Sequence, residues 1–305
     1  LRQYAVRRLL QMIPVLFLII SIVFVLLYVS GDPVFLMLPE DATEEEVNAL
    51  REALRLDKPF YVQFGTFLLN VLQGDFGESF RYKEQALPLV LERLPATLTL
   101  AAASMLVAIV VAVPLGIVSA TRKNSALELF VTTGTVLGKA MPNFWIGIML
   151  SLVFSVHLLW FPVSGSGTLA HLVLPAITLG TSIAAYIARL TRSSLLEALN
   201  QDYIRTAKSK GLKRRIVVYK HALRNAMIPV VTIVMIQTGS VVGGALVTEM
   251  IFAWPGLGQL LVQSINARDM AVVQAAIFVI AIMVILMNLL ADLLSGLLDP
   301  RIKYK

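Results

Sequence analysis

The chain has 305 residues, of which 57% are apolar and 15% charged, with a formal net charge of +7; soluble domains hold about 45–50% and about 25%. Those fractions exclude an ordinary water-soluble domain, and the distribution of charge gives the class. No Asp, Glu, Lys or Arg occurs in 9–31, 94–121, 140–188, 225–248 or 270–291, stretches at least as long as the ~20 apolar residues that cross a bilayer. With no cysteine, disulfides, thiolate metal sites and a cysteine nucleophile are excluded too.

The first predicted span follows Arg2, Arg7 and Arg8 and runs over 9–30, longer than a signal-peptide core and without a small-residue cleavage site. A long segment, 32–93, comes next, with twelve acids and six bases. In it Thr43 and Glu46 are spaced as a capping box, and Gly74-Asp75-Phe76-Gly77 reads as a turn. Further spans are predicted over 96–120, 133–158, 173–191, 227–248 and 272–297, the third and fourth separated by the Pro- and Gly-containing stretch 161–167. The expected class is an all-α polytopic membrane protein of six helices. With the N-terminus inside, 19 of the Lys and Arg residues fall on inner segments and 7 on outer ones. By the positive-inside rule both termini are cytoplasmic and 32–93 is extracytoplasmic. The basic excess reflects this asymmetry, and no nucleic-acid partner is expected.

Enzymatic chemistry finds little support. Gly134-Thr-Val-Leu-Gly138-Lys139-Ala140 has three residues between its glycines where a phosphate loop needs four, and Ala140 lacks the hydroxyl that would hold Mg²⁺. Ser164 or Ser166 with His171 would suit an intramembrane serine hydrolase, but the three lie in a predicted connector. No His, Asp or Glu cluster has metal-ligand spacing, so neither a catalytic residue nor a metal site is assigned. An ion- or proton-coupled secondary transporter is the other alternative; it needs a polar or ionisable mid-bilayer site, and the five uncharged stretches hold no carboxylate.

The inner segment 189–224 carries ten bases against Glu197 and Asp202. Within it, Asp202 to Gly211 predicts a short helix, with Asp202 as N-terminal cap, Gly211 closing the other end, and Lys208 and Lys210 at the negative pole of the dipole. Tyr203, Ile204 and Ala207 form an apolar face on a helix too short to be stable alone. Either a partner groove receives it or it rests on anionic lipid.

At this loop the chain resembles the permease subunits of ABC importers, in the dipeptide/oligopeptide/nickel group. Asp202-Tyr-Ile-Arg-Thr-Ala-Lys-Ser-Lys-Gly211 followed by His221-Ala-Leu-Arg-Asn-Ala-Met-Ile-Pro229 is similar to the group's variant of the Glu-Ala-Ala-x-x-x-Gly element, of which Ala207 and Gly211 are retained. Gly31-Asp32-Pro33, Leu56-Asp57-Lys58-Pro59, Gly74 to Ser79, Glu249 to Gly258 and Leu298 to Ile302 resemble further segments of that group, in the same order. The resemblance implies a second homologous permease, two cytoplasmic ATPase subunits that hold ATP and Mg²⁺, and an extracytoplasmic solute-binding protein. This chain would need no cofactor of its own. It would be an inner-membrane permease organised as a first helix (1–31), an extracytoplasmic segment (32–93), a five-helix core (94–298) with coupling loop 192–226, and a cytoplasmic tail (299–305). Asp202, Tyr203, Ile204, Arg205, Thr206, Ala207, Lys208 and Gly211 would couple to the ATPases. Gln237, Gly239, Ser240 and Gly243 would line the translocation pathway, and Asp57, Asp75 and Glu78 would dock the binding protein.

The topology is checked by labelling single cysteines placed in this cysteine-free chain. Asn48→Cys is expected to react with an impermeant thiol reagent from outside and Lys213→Cys only from inside.

Overall fold

The computed structural model describes residues 2–29, 34, 38, 43–53 and 56–298. It is helical, with no strand among the described residues and a single antiparallel bridge between Glu78 and Gln85. In chain order the helices are α1 (Arg2–Val29), α2 (Glu44–Ala53), α3 (Phe60–Leu72), α4 (Ala86–Thr121), α5 (Ala126–Ala140) and α6 (Asn143–Leu150), the last continued by wider π-helical turns over Ser151–His157. They are followed by α7 (Leu169–Leu199), α8 (Asp202–Ser209), α9 (Arg214–Ile216), a π-helical Val217–Ala222, α10 (Leu223–Ile251), α11 (Leu257–Asn266) and α12 (Met270–Leu298). Gly31-Asp32-Pro33 and the tail 299–305 lie outside the described residues.

Four stretches are long and apolar enough to cross a membrane, Ala86–Thr121, Leu169–Leu199, Arg214–Val241 and Met270–Leu294, and α5 with α6 makes a fifth if the bent pair is one span. α1 contributes an apolar stretch of 17 residues, Leu10–Leu26, among the described ones. The expected single span over 133–158 is instead two helices bent by 107°. Pro142 sits at the break: its ring disfavours helical geometry at the preceding residue, and Met141 is extended at φ −77°, ψ 132°. The glycines of the 134–140 motif therefore lie on α5, not in a phosphate-cradling loop. α4 and α7 also outrun their predicted bounds, because an uncharged window marks the hydrocarbon while backbone hydrogen bonds continue the helix past it. The 36 residues of α4 rise about 54 Å against a core of about 30 Å.

The α4–α7 pair is the most extensive contact in the bundle, and its closeness depends on two glycines. A Cβ on Gly116 would come within 2.7 Å of the Ala188 carbonyl oxygen and within 2.6 Å of the Thr191 Cβ. One on Gly180 would meet the Ser104 carbonyl oxygen at 2.8 Å. Small residues let backbones approach where lipid gives no hydrophobic drive between helices. Three hydroxyls within the bundle bond to their own helices: Ser104 to the Leu100 carbonyl (2.7 Å), Thr178 to Leu174 (2.8 Å) and Thr238 to Val234 (2.9 Å). At the end of α4, Ser125 caps α5 by accepting from the Glu128 N–H (3.2 Å), and the Glu128 carboxylate reaches across to Arg192 on α7.

Gly180→Val is expected to lower the apparent Tm of the detergent-solubilised chain by an overpacking penalty of about 1–3 kcal/mol. Gly134→Val, where an added Cβ meets nothing within 4 Å, is expected to leave it unchanged. A thermal-shift assay on the two purified variants checks the contrast.

Candidate coupling and translocation surfaces

α8 forms where the sequence predicts a helix, with one change at its start. Gln201, extended at φ −75°, ψ 154°, is the capping residue, and its carbonyl accepts from Ile204 (3.0 Å) and Arg205 (3.3 Å). Asp202, the expected cap, lies in the first turn and pairs with Arg205 at 3.2 Å on the exposed surface, where its charge still suits the helix N-terminus. Gly211 does close the other end: at φ +73° it adopts the left-handed conformation. Its N–H bonds to the Lys208 carbonyl (2.9 Å) while that of Leu212 reaches Ala207 (3.4 Å), the paired bonds of a Schellman motif.

The apolar face of α8 is received by the chain itself. Ile204 (0% exposed) and Ala207 (6%) pack with Ile117, Leu195, Val217 and Ala222, so these two cannot fill a groove on another protein. The sequence pattern located an apolar face but not its partner, which is the paired ends of α4 and α7 together with the π-helical turn. Arg214 ties the turn to α4 by donating to the Thr121 carbonyl at 2.7 Å. Tyr203, Arg205, Thr206 and Lys208 point outward. Beside them a groove of about 510 Å³ opens between the ends of α4, α7 and α8, with Lys123, Lys208 and Arg214 on a wall that includes Leu196, Leu199 and Val217.

On α10, Ile236, Ser240, Gly243 and Val247 share one exposed face. A Cβ on Gly243 would meet nothing within 4 Å, whereas one on Gly239 would strike the Asn288 Oδ1 of α12 at 2.3 Å. The structure thus divides the four expected pathway residues: Ser240 and Gly243 are open, Gly239 is a packing residue buried against α12, and Gln237 is half-buried beside them.

At the start of α2 the predicted capping box is present: Thr43 N–H donates to the Glu46 carboxylate (2.9 Å) and Glu46 N–H to Thr43 Oγ1 (3.3 Å). Asp75 and Glu78 are exposed in the predicted turn, where Gly74 (φ +77°) and Gly77 (φ +87°) are left-handed and Gly77 N–H donates to Asp75 Oδ1 at 2.9 Å. Asp57 is exposed as well; its hydrogen bond from the Lys58 ammonium (2.6 Å) holds its carboxyl below the ordinary Asp value. Ser79 turns inward and donates to the buried Asp269 carboxylate, whose other oxygen accepts from Val272 N–H at 3.4 Å and caps α12. His171 engages Thr168 (2.8 Å). No hydrogen bond from it to Ser164 or Ser166 is found among the described residues.

The feature that residue-level reading missed is Glu249, fully buried at the end of α10. Its carboxylate accepts from Thr97 Oγ1 of α4 (2.7 Å) and from the N–H groups of Gly258 (2.7 Å) and Gln259 (3.1 Å) in the first turn of α11. Thr97 Oγ1 in turn accepts from Leu257 N–H at 2.8 Å. Trp254 Nε1 donates to the Ala96 carbonyl at 2.9 Å. A carboxylate from one helix therefore caps another, where partial positive charge favours it. Both glycines after Pro255 are required by space: a Cβ on Gly256 would lie 2.2–2.5 Å from the Glu249 carboxylate, and one on Gly258 2.5 Å from the Leu246 Cα. The only signal in the sequence was an acid directly after an uncharged stretch and ahead of Pro-Gly-Leu-Gly.

Two family models cover the chain: the binding-protein-dependent transport system inner membrane component over residues 112–304, and the N-terminal part of such membrane components over 1–101. The chain belongs to this family. Among full-length relatives, the permease is 42% identical to the oligopeptide transport system permease protein AppB of Bacillus subtilis, with 99% of each chain covered. It is 40% identical to the dipeptide transport system permease protein DppB of Alkalihalophilus pseudofirmus and 41% identical to the glutathione transport system permease protein GsiC of Pectobacterium atrosepticum, again over 99% of each. Of solved structures, an inward-facing MetNI methionine ABC transporter chain matches with a TM-score of 0.58 at 20% identity, over 69% of the permease and 96% of that chain. The fold is shared with that transporter chain, and the permease is a peptide-type ABC importer subunit.

Glu249 and Gly256 are expected to behave as one unit. Glu249→Ala and Gly256→Ala should each lower the Tm of the purified permease. The double variant should lose less than the two added together, because without the carboxylate the Gly256 Cβ has nothing to strike. A coupling of about 0.5–3 kcal/mol, read from a double-mutant cycle, is the expected result.

Proposed function

We propose that the permease forms half of the translocation pathway of an ATP-driven importer of di- or oligopeptides or related small solutes, working with a second homologous permease, two ATPase subunits and an extracytoplasmic solute-binding protein. The observation that carries the coupling role is α8 itself. It is anchored by Ile204 and Ala207 to the ends of α4, α7 and α10 and presents Tyr203, Arg205, Thr206 and Lys208 on its free side. A push on that outer side reaches three spans without crossing a flexible joint. The contact with the ATPase is made by these polar and cationic side chains and by the adjoining basic groove. The solute class rests on the relatives, whose names specify oligopeptide, dipeptide and glutathione transport.

In this reading six spans, α1, α4, the bent pair α5–α6, α7, α10 and α12, place both termini in the cytoplasm. The domain division is 1–31, 32–93, 94–298 with coupling loop 192–226, and 299–305, with α4 already beginning inside the second. Ser240 and Gly243 face the pathway between the two permeases, with Gln237 and Gly239 supporting that face. Asp57, Asp75 and Glu78 dock the binding protein. The buried carboxylates give no support to ion coupling, since Glu249 and Asp269 are occupied by helix N–H groups and by the Thr97 and Ser79 hydroxyls.

The test is uptake by the reconstituted transporter with its binding protein. Gly243→Trp should abolish uptake while the subunits still copurify, because the permease has room for the side chain and the pathway does not. Thr206→Cys should cross-link to an ATPase subunit. Normal uptake by the first variant would remove the pathway assignment, and absence of the cross-link would remove the coupling assignment.

A further inference from the structure

α3 does not belong to a solvated lobe. Its 13 residues, FYVQFGTFLLNVL, carry no charge, while the acidic α2 before it begins with three glutamates. One face stacks aromatic rings against α1. Phe60 lies 5.6 Å from Phe24 and 5.1 Å from Tyr28, Phe64 lies 5.2 Å from Phe24 and 6.3 Å from Phe17, and Phe67 lies 5.2 Å from Phe24, centroid to centroid. These contacts run from Phe17 to Tyr28, about 16 Å of the α1 axis, and centre on Phe24. The other face is bare and apolar: Tyr61 is 74% exposed, Leu69 61% and Leu72 83%.

α1 has an exposed apolar side of its own, where Leu18 and Ile22 are 59% and 50% exposed. Water is a poor occupant for so much apolar surface. A polar docking partner also fits badly, because nothing on the helix offers it a charge. The entry to α3 is closed internally: Gln63 Nε2 donates to the Leu56 and Lys58 carbonyls at 3.1 and 2.8 Å. Charges resume directly outside the helix, at Asp57 and Lys58 before it and Asp75 after it. At 13 residues α3 is too short to span the ~30 Å core, and its length and aromatic flank suit a helix lying in one leaflet.

We propose that α3 is embedded in the outer leaflet of the bilayer, its ring face on α1 and its Tyr61, Leu69 and Leu72 face against lipid acyl chains. The extracytoplasmic segment 32–93 then divides into a water-facing part, α2 and the turn at 74–78, and a membrane-lying part that holds it at the bilayer surface. This rests on the six-span reading of α1.

The test uses the complete transporter in proteoliposomes, with single spin-labelled cysteines at Leu69→Cys and Leu72→Cys on α3, Leu18→Cys on α1 and Asn48→Cys on α2. Leu69 and Leu72 are expected to collide with dissolved oxygen in preference to a water-soluble nickel chelate, to the same degree as Leu18, while Asn48 shows the reverse. A nickel-dominated signal at Leu72 beside an oxygen-dominated one at Leu18 would overturn the membrane-lying helix and leave the span reading of α1 intact. Nickel dominance at both would overturn both. Labels at Leu69 and Leu72 shielded from both reagents, with cross-links from Leu72 to the second permease or the binding protein, would assign the face to protein instead of lipid.

Discussion

The Glu249 carboxylate is the constraint around which the end of the bundle opposite α8 is arranged. It is a fully buried acid, and such a group persists only with its oxygens occupied by donors. Thr97 of α4 and the first turn of α11 supply them. One side chain thereby ties α10, the neighbouring α11 and the start of α4, and it dictates Gly256, whose Cβ would occupy the carboxylate's place, while Gly258 is held to glycine chiefly by the Leu246 backbone. Phe252, 2% exposed in the intervening loop, extends the junction by accepting from Gly165 N–H at 2.8 Å.

The middle of the bundle is held differently. With no water to expel between helices in lipid, the α4–α7 contact depends on shape, through Gly116 and Gly180. Ser104 and Thr178 there bond to carbonyls of their own helices, while the Ser119 and Thr191 hydroxyls are buried without a hydrogen-bond partner among the described residues, which leaves few directional bonds between spans. Directional bonds concentrate at the ends: Glu249 and the Ser79–Asp269 pair at one, Arg192–Glu128 and Arg214–Thr121 at the other.

The α8 end shows why a short helix need not wait for a partner to fold. Its two apolar residues are buried in the permease's own cluster, and its C-terminus is closed by the Gly211 turn. What remains exposed is polar and cationic. The apolar contacts that fix α8 to the spans and the polar side chains it leaves free are therefore on opposite faces of one helix.

Membrane class, most of the spans, the α2 capping box, the turn at 74–77 and the Gly211 terminus were legible in the sequence, because each follows from local rules: charge excluded from hydrocarbon, a side chain reaching its own helix end, a left-handed residue where only glycine sits at no cost. The ordered motifs likewise placed the chain in its family. What local rules could not supply were partners distant along the chain. The Pro142 bend, the burial of Ile204 and Ala207, the contact of Gly239 with Asn288 and the α3–α1 ring stack all depend on which surfaces meet. Hydropathy and periodicity report that a face is apolar, not what covers it. Glu249 is the clearest case: at the end of an uncharged stretch it reads as a residue at the water boundary. Only the approach of Thr97, 152 positions earlier, and of the α11 N-terminus makes a buried carboxylate the cheaper arrangement, since those donors replace the water it gives up.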